Sequence, residues 1–431
     1  MSGEEKTKND REWERLFERY DILSKVREEG AFLISADQIK EYREPRLMVK
    51  FDHRINLPKL FQKHQLSILP VSRKKYLISN FNAYHQFEKV EKGVTQINMP
   101  GNIQSLDTNN IPSEAIALNC AFTSGMLMDF LGEDILYPTV SGRMGTGKFD
   151  FLIQDLNKGK NVAVSVENSQ MEIDAAYEGI GSLAIIEAKR DISEDFLVRQ
   201  LYYPCRVWSE RVTKKVRPIF FVYSNGIFSL YEYAFRDLRE YNSLKLIKHK
   251  NYSIEDTAIV LEDLQDIECC TKMVEEPEIP FPQANKFERV INICELLNAQ
   301  ELSREQITQQ YAFDVRQTNY YTDAAIYLGL VEKKYGLDRK PKYKLTSRGR
   351  HILSYGYRQR QLAYCGAILE HQVFRSTFDC CLHNGVMPST DAIVSIMRTV
   401  GIYHLDSEDT YRRRASTVAG WVNWMLGLLQ E

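Results

Sequence analysis

IGSLAIIEAKRDI, residues 180–192, begins as a buried strand and ends in charge. Leu183, Ala184, Ile185 and Ile186 form the apolar run expected of a central strand. Glu187, Ala188 and Lys189 then finish it. Side chains alternate with period two along a strand, so Glu187 and Lys189 share a side while Ala188 faces away. An acid and a base side by side at the end of an apolar strand need a reason. E-x-K by itself is common, and most examples are solvated strand ends or surface ion pairs worth under about 1 kcal/mol.

Outward from that strand, further strands are expected at 149–154, 162–166, 170–174, 217–224 and 227–233. A helix over about 193–213 separates the 182–188 strand from the next. Asn225-Gly226 is a strong signal for a two-residue hairpin turn. An antiparallel start, a helix and then more strands predict an α/β (α+β) fold built on a mixed sheet. One face takes the helix and the other is left for an apolar helix at 113–134. Upstream, residues 10–30 read as one helix from Trp13, Leu16, Phe17, Tyr20, Leu23 and Val26 at spacings of three and four. Residues 66–81 read as a hairpin about a basic turn, and 95–112 as an Asn-, Gly- and Pro-rich loop.

The acidic, proline-bearing stretch EEPEIPFPQANKF (275–287) is the best domain boundary, because it carries no apolar period. Beyond it, 287–299, 303–311 and 315–330 form three helices with short connections, followed by two short strands around a basic loop at 331–346. Three helices and a hairpin are the winged-helix plan. The expected division is therefore an N-terminal α+β region (1–112), a catalytic core (113–274), a winged-helix domain (284–355) and a C-terminal helical region (356–431).

A carboxylate and a lysine at one strand end suit hydrolysis of a phosphodiester with a divalent metal. The acid holds Mg²⁺, and the ammonium stabilises charge at phosphorus or orients the attacking water. One acid binds Mg²⁺ poorly, so a neighbouring strand should bring a second. Asp174, in QMEIDAAYEG, ends the preceding strand at hairpin spacing from Glu187. Register decides whether the two meet.

The ordered set of Asp174, Glu187-Ala188-Lys189 after an apolar run, and a helix carrying Gln200 resembles the PD-(D/E)xK nuclease core. The longer string MEIDAAYEG…LAIIEAKRD…RQLYYP…FFVYSNGIFSLYEY resembles type II restriction endonucleases of that superfamily. The resemblance covers about residues 113–235. It implies Asp174 and Glu187 as metal ligands, the Ala188 carbonyl as a third, Lys189 as the catalytic lysine and Gln200 as a polar partner on the following helix. Ile173 stands where the family has proline, so the choice of Asp174 rests on spacing. Asp150, in GTGKFDF, is the rival acid, and Glu172, Glu114 and Glu167 are accessory candidates. GRMGTGKFD (142–150) lacks the spacing and the hydroxyl of a phosphate-cradling loop and reads as a glycine-rich turn before a strand.

In a winged helix the third helix enters the major groove and the wing touches backbone. Here that helix opens with Arg316, Gln317, Asn319 and Tyr320 near its exposed N-terminal side; Arg suits guanine, and Asn or Gln suits adenine. Lys340, Lys342 and Lys344 lie in a basic wing fit for phosphate contact. Tyr321 reads as packing. Arg412, Arg413 and Arg414 read equally as a second DNA-facing helix start or as partners of acids. His371, Cys380, Cys381 and His383 lack the paired spacing of a zinc site.

The totals are compatible with this reading. The 431 residues are 44% hydrophobic and 26% charged, with 56 basic and 58 acidic side chains and a net charge of −2. That balance excludes coating nucleic acid by bulk charge and leaves room for a local basic cleft. Eight cysteines without a CxxC pair read as free thiols of a reducing compartment, and no apolar run approaches a membrane span. The expectation is a cytoplasmic, Mg²⁺-dependent, sequence-specific endonuclease acting on double-stranded DNA as a homodimer. A methylation-dependent or repair nuclease on the same core is the alternative within nucleases. A winged-helix DNA-binding regulator with an inactive nuclease domain is the alternative outside them.

Overall fold

The computed structural model describes residues 6–90, 93–191, 193–310, 313, 315–335, 341–403, 405 and 407–430. The fold is mixed α/β. The chain divides into two compact units: Met1–Thr95, Ser113–Tyr223 and Phe228–Tyr252 form the first, and Gln96–Pro112, Ser224–Ile227 and Ser253–Glu431 form the second.

The first unit is organised by a seven-stranded sheet. Its order is Val94–Gln96, Leu244–Ser253, Ile227–Phe235, Lys215–Ser224, Ser182–Lys189, Gln170–Glu178 and Tyr137–Gly145. Ser182–Lys189 is buried along its length until Lys189, as its two-faced apolar run requires. It pairs antiparallel with Gln170–Glu178 and parallel with Lys215–Ser224. A parallel pair cannot be closed by a tight turn. The connection here is the short strand Asp195–Leu197 and then helix Arg199–Arg211, which starts later than the sequence suggests. Trp208 of that helix packs with Ala176, Leu183 and Ile185. On the opposite face, Phe122 stacks on Tyr177, which lies opposite Ala184 in the register. The sheet thus carries helices on both sides. The segment expected to be one helix at 113–134 is two, Glu114–Thr123 and Met126–Leu131, broken at Ser124 and Gly125.

Two smaller layers complete the unit. Lys148–Gln154 and Asn161–Glu167 form a hairpin whose Phe149, Phe151 and Ile153 face inward. Phe149 and Phe151 meet Tyr202 and Tyr203 of the Arg199–Arg211 helix edge-on. The N-terminal layer holds helices Lys8–Tyr20 and Ile22–Glu29 and a three-stranded sheet ordered Phe32–Ser35, Lys75–Ser79, Ser67–Ser72. The single helix expected over 10–30 breaks at Asp21, which is left-handed (φ 49°) and accepts the Ser24 hydroxyl at 2.8 Å. Residues on both sides of position 112 share one hydrophobic cluster, running from Trp13 and Phe61 to Phe151, Tyr202, Phe220 and Tyr241.

In the second unit, helices Phe287–Ala299, Arg304–Gln310 and Val315–Tyr327 accompany a three-stranded sheet ordered Leu302–Ser303, Pro341–Leu345, Val331–Tyr335. Among the described residues five more helices follow, ending in Glu408–Leu426. The proline-bearing stretch at 275–287 is no free linker. Phe281 stacks on Phe374, and Ala284 accepts the Trp421 indole N–H at 2.6 Å. None of the eight cysteines is in a disulfide. Among the described residues no helix is long and apolar enough to cross a membrane.

Candidate active site

The charged end of strand Ser182–Lys189 lies where the sheet's central hairpin comes apart. The antiparallel register runs from Leu183 opposite Glu178 to Ile186 opposite Ala175. Glu187 and Asp174 are the next residues along the two strands, just past the last pair. There the ladder gives way to a side chain: the Ala188 N–H donates to Asp174 Oδ2 at 2.8 Å.

Glu187 is only 8% exposed. Its Oε1 accepts from Lys189 Nζ at 2.6 Å and from Gln200 Nε2 at 2.5 Å. Helix Arg199–Arg211 delivers Gln200 in its first turn, and Pro204, four residues on, has no N–H to offer the Gln200 carbonyl. The Gln200 Oε1 is buried without a hydrogen-bond partner among the described residues. Burial pushes the Glu187 carboxyl up to about 7, against the pull of the Lys189 ammonium and with the Asp174 charge adding to the rise. For Lys189 burial works the other way, but Glu187, Asp52 and Glu114 outweigh it and hold the ammonium above its ordinary value. Glu114 is raised, first by burial and then by Asp174 and Asp191, with Lys189 opposing.

The structure therefore brings together Asp174, Glu187, Lys189 and Gln200, with the Ala188 backbone between them and Glu114 near enough to feel their charges. The other acids are elsewhere. Asp150 lies on the exposed side of the Lys148–Gln154 hairpin and accepts the Ser165 hydroxyl at 2.5 Å. Glu172 is exposed and pairs with Arg143 at 3.3 Å. Glu167 is exposed opposite Lys148. Gly142–Gly145 belongs to an edge strand, with the turn at Thr146 and Gly147.

The sequence gives no sign of the contribution from residues 50–54. Asp52 Oδ2 stands 3.8 Å from Lys189 Nζ. Burial alone would raise Asp52, but Lys189, Lys50 and His53 outweigh it and hold the carboxyl below its usual value. The segment is pinned by strand Asp195–Leu197. Leu197 N–H donates to the Asp52 carbonyl at 2.9 Å, His53 Nδ1 contacts the Asp195 carbonyl at 2.6 Å, and Arg54 N–H donates to Asp195 Oδ1 at 3.1 Å. KFDHRIN carries neither a period nor a motif, and its proximity to Lys189 arises only from tertiary folding.

Among the described residues no three His, Cys, Asp or Glu side chains form a ready-made metal cage. The donors present still fit a hard dication. Two carboxylates lie at one strand end, Asp174 accepting the Ala188 N–H and Glu187 buried and driven up in pKa, beside an unsatisfied amide oxygen. Asp174, Glu187 and the Ala188 carbonyl are the groups that would hold it.

In the second unit, Arg316 is exposed and lies over the Tyr320 ring, its Nε donating to the Tyr320 hydroxyl at 2.6 Å. Gln317 accepts from Arg289 at 3.4 Å, and Asn319 is half-buried. Tyr321 is buried and stacks on Phe313. Lys342 is exposed, Lys344 pairs with Glu332 across the hairpin at 3.0 Å, and Lys340 lies outside the described residues. Arg412 pairs with Asp391 at 2.5 Å, and Arg414 donates to Gln283. His371 is buried against Tyr327, whereas His383 is exposed.

Three family models match the chain, each described as a domain of unknown function: DUF6996 over residues 10–78, DUF6997 over 79–253 and DUF7226 over 289–430. No curated protein and no solved structure matches it. Asp52 falls within the first match, and Asp174, Glu187, Lys189 and Gln200 fall within the second.

Proposed function

We propose that the protein is a Mg²⁺-dependent endonuclease of the PD-(D/E)xK restriction type that cuts double-stranded DNA. The observation that carries the reading is the convergence of Asp174, Glu187, Lys189 and Gln200 at one strand end. The antiparallel pair, intervening helix and parallel third strand support the nuclease core. The order of the described helices and strands over 287–345 supports a winged helix, in which Arg316, Gln317, Asn319 and Tyr320 would meet base edges and Lys342 and Lys344 phosphates.

The chemistry Mg²⁺ supplies when bound is polarisation of a phosphoryl oxygen and acidification of a water. The chain does the rest. Asp174 and Glu187 would each supply a carboxylate oxygen to the ion. Burial raises the Glu187 carboxyl, so a positive charge brought close to it is strongly favoured. Lys189, kept protonated by the surrounding acids, places a cation beside the phosphorus, where negative charge grows as water attacks. Gln200 fixes the Glu187 carboxylate and keeps an amide oxygen available to orient that water. Two copies acting as a homodimer would cut both strands.

Incubation with plasmid and genomic DNA, with Mg²⁺ and then with EDTA, tests the reading. Discrete fragments that vanish with EDTA are expected, and Lys189→Ala should abolish them while leaving DNA binding largely intact. Cutting confined to methylated DNA would move the assignment to a modification-dependent nuclease. Binding without cleavage would overturn the enzyme.

A further inference from the structure

Lys189 is one ammonium among several carboxylates. Its Nζ is 2.6 Å from Glu187 Oε1 and 3.8 Å from Asp52 Oδ2. The same Glu187 oxygen also takes the Gln200 amide at 2.5 Å. The oxygen on which a cation would rest is thus already engaged by two donors, one of them charged. A second positive charge cannot settle there while the ammonium remains, because like charges in contact within a poorly solvated site repel strongly.

Asp52 offers the ammonium another place. Its side chain is 18% exposed, and its backbone is fixed by Leu197, with His53 and Arg54 fixed by Asp195. A carboxylate on so constrained a backbone is a defined destination and not a drifting surface acid. Of its other cationic neighbours, His53 is held by Asp195, and Lys50 is 3.8 Å away but 75% exposed, so water serves it as well as Asp52 does.

We propose that Asp52 is a positioning residue for Lys189: when a divalent cation takes Glu187, the ammonium passes to Asp52, which holds it beside the site and not on it. The proposal rests on the reading of Glu187 as a cation ligand. It also gives the N-terminal layer a part in the chemistry.

The test is Mn²⁺ binding to the full chain, measured by calorimetry for wild type, Asp52→Asn, Lys189→Ala and the double variant. Asp52→Asn should weaken binding roughly tenfold, within the range for coupled charged groups in contact, because Lys189 then keeps Glu187 as its ion-pair partner. With Lys189→Ala the competition is gone, so adding Asp52→Asn should change affinity by less than about twofold. Asp52→Glu should restore most of the wild-type affinity. Asn keeps the backbone bond to Leu197, and thermal unfolding checks each fold; Asp52→Ser serves the same comparison if the Asn variant unfolds. Equal weakening with and without Lys189 would make Asp52 a ligand and overturn the proposal, as would no weakening in either. Failure of the wild type to bind Mn²⁺ saturably would sink the proposal together with the reading beneath it. The expected pattern without DNA cleavage would sink the nuclease alone.

Discussion

Asp174 has two tasks, and they are chemically distinct. Its charge acts on Glu187, and the same carboxylate satisfies the Ala188 N–H. Substitution by Ala therefore removes a charge and also orphans a buried donor, a structural loss of about 1–3 kcal/mol. His53 carries a separate consequence. Burial works against its charge, but Asp195, Asp191 and Asp52 outweigh that and raise its pKa. A raised pKa in the folded state means the protonated ring favours folding. The contribution is complete below the unfolded value of about 6.5 and is lost as pH rises through the folded one. The difference in Tm between wild type and His53→Gln should accordingly be larger at pH 5.5 than at pH 8.5. A constant difference would refute the assignment.

Among elements, what could be read from the sequence tracks how local its cause is. Ser182–Lys189 was legible because burial on both faces demands an unbroken apolar run. The turn after Lys215–Ser224 was legible because Asn225 and Gly226 take left-handed φ values of 52° and 80°, which that dipeptide tolerates. Tyr137–Gly145 was not: an edge strand with Pro138, Gly142, Gly145 and two register shifts has the composition of a loop. In the candidate site, Glu187, Lys189, Asp174 and Gln200 follow one another within a local hairpin and crossover, whereas Asp52 meets Lys189 only through the tertiary fold. Helix Glu408–Leu426 supplies a packing test. A Cβ at Gly420 would stand 2.3 Å from the Asn285 carbonyl, where Thr417 and Trp421 hold residues 284–285 against the helix. Gly420→Ala should thus destabilise by about 1–3 kcal/mol in denaturant unfolding, although alanine is the better helix former. Unchanged stability would mean that the contact relaxes without cost.

Across the whole molecule, the candidate cutting residues and the candidate reading residues lie in different compact units. Mutation should therefore separate the two activities. Replacing Arg316 and Gln317 with Ala is expected to weaken binding to the cognate sequence by about 1–3 kcal/mol per lost base contact and random DNA much less. Equal losses on both, in titrations at fixed salt, would reduce helix Val315–Tyr327 to a backbone contact. The hydrophobic cluster that joins Trp13 to Tyr241 has a consequence during synthesis. Tyr241 donates its hydroxyl to the Ala83 carbonyl, 158 residues earlier, a stretch that takes about 8–30 s to translate at 5–20 residues per second. For that interval part of the aromatic core of the nascent N-terminal layer lacks its cover, so the demand for chaperones begins early in the chain, before the candidate acid Asp174 has been made.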